Sequence, residues 1–315
     1  MKKTCKIVVP GSYISDITAF VDKFPRDGES VIAQSLNFGP GGKGSNQATS
    51  ASRSGGEVIM ITKTGNDTMA NVQKEHYAKE GMTEKYIYRT DDAPTGTGIM
   101  NVSTVTGENR IVMTKGANEL LTPADLEAAE EEFATCDVVL TQLETNDEVV
   151  KKAIELANKH GKYMILNPAP AQPVPADFFE GVDYFTPNET EAEFYSGIKV
   201  ETVEDAEKAA EILIGKGIKN VIITLGKKGA FFSNGKEKLL VPPTDLKAVD
   251  TTGAGDAFNG GFAVALAEGK DIETAIKFAN CVASISVTRK GASPAMPTRE
   301  ESDALLESFY GIKNS

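Results

Sequence analysis

Short, almost wholly apolar runs alternate along this chain with longer stretches whose apolar residues fall three and four positions apart. The runs Ile7–Val9, Val58–Thr62, Val138–Thr141, Tyr163–Asn167, Tyr184–Thr186 and Val221–Leu225 are rich in β-branched and aromatic residues and read as strands. Between them, Ala124–Ala134, Glu148–His160, Val203–Gly215, Ala257–Ala267 and Ile272–Val287 carry the helical spacing. Strands without a polar face need cover on both sides, and strands separated by helices pair in parallel. The pattern therefore predicts an α/β fold: a mostly parallel sheet with helices on both faces.

Two segments break the alternation, residues 12–38 and 95–115. In the second, Thr97–Val102 and Arg110–Met113 flank the turn Thr106–Asn109 with no room for a crossover helix. So few strands cannot stand alone, so they are expected to form a small sheet on one edge of the main body. That sheet reads either as a lid over a site or as a surface hairpin without a role.

Composition narrows the function. With 40% apolar residues and 29 glycines among 315, the chain can bury a sizeable core. A net charge of −12 with no basic cluster argues against a nucleic-acid partner. His76 and His160 stand alone, and Cys5, Cys136 and Cys281 lie far apart, so neither zinc-ligand spacing nor a histidine triad is available. Lys6 and Pro10 cut short the only apolar run near the start, and no window is long and apolar enough to span a membrane. The expectation is a cytoplasmic protein without membrane partners.

The chemistry gathers in glycine-bearing turns. In Asp250-Thr251-Thr252-Gly253-Ala254-Gly255-Asp256, such a turn follows the extended Leu246–Val249 and runs into a helix near Ala254. A helix start offers unpaired N–H groups and the positive end of the dipole, and glycines let a phosphate come close. Asp256 reads either as a favourable first-turn acid or as the base that takes a proton from an attacking hydroxyl. The dipole is expected to depress its pKa, which phosphoryl transfer tolerates because its proton moves late. A second cluster, Gly39 to Ala48, matches GxGxxG through Gly39, Gly41 and Gly44, but it follows the irregular segment rather than the first strand and lacks the acid about 20 residues on that a dinucleotide fold needs. It reads as a pocket wall in which Lys43 and Asn46 donate to a polyhydroxylated ligand, or as a tight turn with a helix cap. Thr186-Pro187-Asn188-Glu189-Thr190-Glu191 has capping-box spacing, and the same residues at a strand end could organise hydrated magnesium beside a nucleotide. The turn Gly226-Lys227-Lys228-Gly229 after the buried Ile222–Leu225 reads either as an ordinary hairpin turn or as a nucleotide loop.

Taken in order, Gly41–Ala48, Asn167-Pro168-Ala169-Pro170, Thr186–Glu191, Thr224-Leu225-Gly226 and Asp250–Asp256 resemble the ribokinase-like, pfkB-type carbohydrate kinases, from about Val8 to Pro297. Val287-Thr288-Arg289-Lys290-Gly291-Ala292 points to the ribokinase branch. The resemblance implies a single domain over 1–315, a three-layer α/β/α sandwich with a small β-sheet lid through which two copies form a homodimer. It implies ATP, magnesium and potassium-type activation, and transfer to the primary hydroxyl of a pentose, D-ribose giving D-ribose 5-phosphate. Deoxyribokinase, or a kinase of another furanose or a nucleoside, is the alternative within the family. A sugar-binding regulatory protein with a dead kinase site and a dinucleotide oxidoreductase are alternatives from other classes.

By the same resemblance, Asp256 is the base, with Gly253, Ala254 and Gly255 as the anion hole. Asp16, Gly42, Lys43, Asn46, Glu144 and Asp256 hold the sugar. Asn188, Thr224, Gly226, Gly229, Gly255 and Asn280 hold ATP. Asp250, Thr252, Ser286, Arg289, Gly291 and Ala295 surround the monovalent cation, several through carbonyls. The sequence departs from the family where ribokinases often carry a hydrogen-bonding Asn two residues before the sugar-binding Asp: Ile14 stands there. A buried hydroxyl facing Ile14 would lose a partner at a cost of about 1–3 kcal/mol, which favours a sugar lacking that hydroxyl, such as 2-deoxyribose, or leaves water in the amide's place. Pro40 and Ser45 are smaller departures at the rim.

Overall fold

The structure, a computed structural model, describes residues 5–313; the ends of the expected single domain, residues 1–4 with the basic start and 314–315, lie outside the described residues. In chain order the strands are β1 (Lys6–Pro10), β2 (Ile14–Val21), β3 (Ser35–Gly41), β4 (Glu57–Gly65), β5 (Ile87–Thr90), β6 (Thr97–Ser103) and β7 (Asn109–Thr114). They continue with β8 (Val138–Thr141), β9 (Tyr163–Leu166), β10 (Tyr184–Phe185), β11 (Asn220–Thr224), β12 (Ala230–Ser233) and β13 (Lys238–Val241). The helices are α1 (Lys43–Arg53), α2 (Met69–Glu80), α3 (Pro123–Glu127), α4 (Glu130–Thr135) and α5 (Asp147–Lys159). After them come α6 (Glu189–Ser196), α7 (Val203–Gly215), α8 (Ala254–Ala267), α9 (Ile272–Ser286) and α10 (Arg299–Tyr310).

Nine strands make one sheet in the order β13-β12-β11-β10-β9-β8-β1-β4-β5. From β11 to β5 every pair is parallel, and β12 and β13 fold back antiparallel at one edge. Period-two alternation sorts the side chains between two cores. Val8, Ile61, Val139, Leu166 and Ile223 pack with α3 to α7, whereas Ile7, Val9, Leu140, Ile165 and Ile222 pack with α1, α8 and α9. The three layers expected from the apolar strands are thus present. Among the described residues no helix is long and apolar enough to cross a membrane.

Some elements differ from the sequence reading. The predicted helix Ala124–Ala134 is two helices: a Thr122–Asp125 capping box starts α3, and Ala129 leaves helical geometry before α4. Three successive acids, Glu130 to Glu132, suit a fresh helix start there because they face the positive end of its dipole. The segment Leu246–Val249, read as extended, joins neither sheet, and its Val249 N–H is tied to the Val287 carbonyl at 2.7 Å. The Gly226–Gly229 turn joins β11 to the antiparallel β12, as a hairpin turn should.

The two segments outside the alternation form a four-stranded sheet, β3-β2-β6-β7, with β3 running on to Gly41 and Asn109 already inside β7. Its register sets Phe38, Ile17, Ile99 and Val112 side by side in one cross-strand row. Asp16, one residue away and so on the opposite face, lies between Gly39 and Gly98.

Candidate active site

The parallel strands deliver polar residues from their carboxyl ends, where open α/β sheets bind ligands. Gln142 and Glu144 follow β8, Asn167 follows β9, Thr186 and Asn188 follow β10, and Thr224 ends β11. A cavity of about 140 Å³ lies at this end, lined by Lys43, Asn167, Asn188, Glu191, Gly255 and Asp256 among others.

Helix α8 begins at this cavity. Gly253, its cap, has φ 74°, and a β-carbon there would lie 2.8 Å from that of Ala292, so the turn needs glycine. The N–H groups of Gly253, Gly255 and Asp256 find no acceptor among the described residues, whereas that of Ala254 is turned back to the Thr251 carbonyl at 3.2 Å. Of the three residues expected to form an anion hole, Ala254 therefore has its amide engaged within its own turn.

Asp256 is buried at 5% exposure, and each of its oxygens accepts one amide: Oδ1 from Gln47 Nε2 and Oδ2 from Asn46 Nδ2, both at 3.0 Å. Burial pushes its carboxyl above the ordinary carboxylate range, against the pull of Lys43 and the two amides, and Glu144 adds to the rise. The depression expected from the helix dipole is overturned because removing the carboxylate from water outweighs the donors around it. The shift favours a base. Lys43 is pulled down by burial, yet Asp256, Glu144 and Glu191 together hold its ammonium above the ordinary value.

Helix α1 is built to face this carboxylate. Its cap Gly42 has φ 85° and no capping side chain, so its first N–H groups are met from elsewhere. Glu144 Oε2 accepts from Lys43 N–H at 2.8 Å and from the Ser12 hydroxyl at 2.6 Å, while the Ser12 carbonyl accepts from Ser45 N–H. One oxygen of Glu144 is thereby committed to the fold. Asp16 reaches the same region from β2; a β-carbon on Gly41 would lie 2.2 Å, and one on Gly98 2.6 Å, from its carboxylate. Burial, helped by Glu144, raises the Asp16 carboxyl to about 7.

The residues expected at the nucleotide divide. Asn188 and Thr224 line the cavity and are joined by an isolated bridge. Asn188 also makes the capping box, exchanging 2.9 Å bonds with Glu191, so the capping and cavity-lining readings hold together. Gly226 lies near Glu189, outside the cavity lining. Gly229 and Asn280 cluster instead around Val241–Pro243: a β-carbon on Gly229 would strike the Val241 carbonyl, and Asn280 donates to the Pro242 carbonyl at 3.2 Å.

Of the expected cation residues, Asp250, Thr252, Arg289, Gly291 and Ala295 lie in two adjoining loops and Ser286 ends α9 ahead of the second. Asp250 accepts from the Thr252 hydroxyl at 2.7 Å and from Gly291 N–H at 2.9 Å. The side chain of Arg289 pairs with Glu301, and the hydroxyl of Ser286 donates to the Ala283 carbonyl at 2.8 Å. Among the described residues, the carbonyls of Asp250, Thr252, Arg289, Gly291 and Ala295 accept no hydrogen bond, whereas that of Ser286 accepts from Arg289 N–H.

Several polar residues around Asp256 were not singled out from the sequence. Gln47 also donates to Asn167 at 2.9 Å and accepts from Gln142 at 2.7 Å, while Asn259 accepts from Thr186 at 2.6 Å. A usable signal was present: Lys43-Gly44-Ser45-Asn46-Gln47-Ala48-Thr49-Ser50 has no large apolar residue, yet seven of these eight are buried.

A family model described as pfkB family carbohydrate kinase matches residues 4–299. The ribokinase of Haemophilus influenzae is 40% identical over 307 residues, covering 98% of this chain and 99% of its own. The deoxyribokinase of Salmonella typhi is 36% identical, covering 95% and 98%. The structure of Arabidopsis thaliana ribokinase complexed with ribose and ATP superposes with a TM-score of 0.91 at 30% identity, covering 97% of this chain and 99% of that one.

Proposed function

The chain belongs to the pfkB family of carbohydrate kinases, and within it we propose that it transfers the γ-phosphoryl group of ATP to the primary hydroxyl of D-ribose, giving D-ribose 5-phosphate. The observation that carries this reading is the placement of Asp256: a buried carboxylate with raised basicity at the start of α8, beside first-turn amides without acceptors. In the proposed reaction Asp256 takes the proton of the attacking hydroxyl as its oxygen bonds to the γ-phosphorus and the bond from that phosphorus to the bridging oxygen breaks, releasing ADP. The Gly253 and Gly255 amides hold the charge gathering on the phosphoryl oxygens, so the work is positioning and charge stabilisation. Asp16 and the free oxygen of Glu144 would accept sugar hydroxyls, and Asn46 and Lys43 would donate.

Magnesium and a monovalent cation fit the donors present. Glu191 commits one oxygen to the Asn188 N–H and lines the cavity, which suits holding hydrated magnesium on the nucleotide. Free carbonyls in the loops 250–252 and 289–295, drawn together by the Asp250 to Gly291 bond, suit a weakly hydrated cation such as potassium. Magnesium supplies charge neutralisation on the transferred phosphates when bound. The apolar row of the small sheet supports a homodimer formed through that face.

Replacing Asp256 by Asn should leave the fold intact and cut turnover by about 10² to 10⁴-fold. Near-normal turnover in that variant would remove the proposed role. A second reading, 2-deoxyribose as acceptor, is favoured by Ile14, buried at 2% exposure two residues before Asp16 and so on its face of β2. Measuring kcat/KM for ribose, 2-deoxyribose, fructose and adenosine separates the readings.

A further inference from the structure

The amides that hold Asp256 are themselves held, and one of the holders comes from far along the chain. Ser293 opens the short turn Ser293–Ala295, is fully buried, and donates its hydroxyl to Asn46 Oδ1 at 2.6 Å. The other end of the same amide, Nδ2, donates to Asp256 Oδ2 at 3.0 Å. An amide has one acceptor end and one donor end. Fixing Oδ1 against the Ser293 hydroxyl aims Nδ2 at the carboxylate; the flipped amide would set two acceptors face to face. The turn is also pinned from the far end of α1. Arg53 donates to the Met296 carbonyl at 2.7 Å while its other nitrogens hold the Glu80 carboxylate at 2.7 and 2.8 Å. Helix α1 thus grips the 293–296 turn at both Asn46 and Arg53.

We propose that Ser293 is a positioning residue for phosphoryl transfer, fixing the orientation of the Asn46 amide and through it the placement of the Asp256 carboxylate. This rests on the reading of Asp256 as the base. The other groups facing that carboxylate are Lys43 and Gln47 from α1, Glu144 from the segment after β8 and Glu191 from α6. Removing the Ser293 hydroxyl leaves all of them in place and releases only the Asn46 amide. A carboxylate that loses a donor becomes easier to protonate, so the acid limb of turnover moves to higher pH.

The test uses the full chain, with ATP varied at saturating sugar and kcat followed against pH with both saturating, for Ser293→Ala, Asn46→Ala and the double variant, after thermal unfolding has shown that each folds. Ser293→Ala should lower kcat about tenfold, leave KM for ATP unchanged and move the acid limb upward. In the Asn46→Ala background the same substitution should add nothing, because the two side chains act as one unit. Ser293→Thr, which keeps a hydroxyl, should restore the limb. Ser293→Cys, close in volume and a weak donor, takes the place of the alanine variant if that one does not fold. An unshifted acid limb, or losses that simply add in the double variant, overturns the proposal. If Asp256→Asn is inactive while Ser293→Ala is unshifted, only this inference fails; if Asp256→Asn retains turnover, the base assignment itself is wrong.

Discussion

Burial governs the two carboxylates that matter most, and it does so against their neighbours. At Asp256 it outweighs Lys43 and two amide donors; at Asp16 it lifts the carboxyl from 3.8 to about 7, with Glu144 adding to the effect. The consequence for Asp16 is a measurable cost of folding. Between those two values the unfolded chain has already released the proton that the folded one still holds, so stability falls as pH rises through the window. Asp16→Asn should therefore raise the thermal-unfolding midpoint, and by more at about pH 8 than at about pH 5. An equal gain at both would mean that the carboxyl ionises normally in the folded protein. Two positions away, Ile14 is the residue that the proposed 2-deoxyribose reading makes answer for selectivity. Ile14→Asn should raise the ratio of kcat/KM for ribose over 2-deoxyribose by about tenfold, and an unchanged ratio would show that its side chain does not meet the sugar. The sequence made Asp256, Asp16 and Ile14 legible because motifs fix their positions. It could not give the sign of the Asp256 shift, since a helix start is local whereas burial depends on α1, α6 and the β8 end arriving together.

Among the elements, α1 is the least conventional, because it buries two serines, a threonine and two amides where a core helix usually buries leucine. Apolar periodicity marks helices by the stripe they turn to the core, and α1 has no such stripe, so its start was visible only from glycines. Its packing partner α8 shows why small residues are needed. A β-carbon on Gly260 would lie 2.5 Å from Ser50 Cβ and 2.6 Å from the Gln47 carbonyl, and the Ser50 hydroxyl donates to the Ala257 carbonyl at 2.9 Å. This contact holds the face bearing Asn46 and Gln47 against the face bearing Asp256. Gly260→Ala should cost about 1–3 kcal/mol of stability by denaturant unfolding and lower kcat together with it. Adding Ser50→Gly should recover only part, because the Gln47 carbonyl stays in the way. Full recovery would mean that the helices do not meet at the backbone. Elements with strong periodicity, such as α5 and α7, were readable in advance, whereas β5 and β13, four residues each at the sheet edges, carry too little pattern to stand out.

Over the whole molecule, the small sheet presents two unlike faces. Asp16 and its flanking glycines occupy one, while Phe38, Ile99 and Val112, exposed by 55%, 48% and 72%, occupy the other around the half-buried Ile17. Among the described residues, its outer strands β3 and β7 each pair with a strand on one side alone. A row of large apolar side chains beside open edges, on a molecule with a net charge of −12, is a poor surface to leave in water. A second copy of the same sheet would cover the row and end the exposure of the edges. Sedimentation over a range of concentrations should find a species of twice 33.6 kDa, and placing Asp at Ile99 and Val112 should shift it to the single-chain mass. Because Asp16 shares β2 with the covered row, those variants should raise KM for the sugar more than KM for ATP. A wild-type chain that sediments at 33.6 kDa at every concentration would refute the assembly, and a dissociated variant with unchanged sugar KM would show that the covered face does not position Asp16.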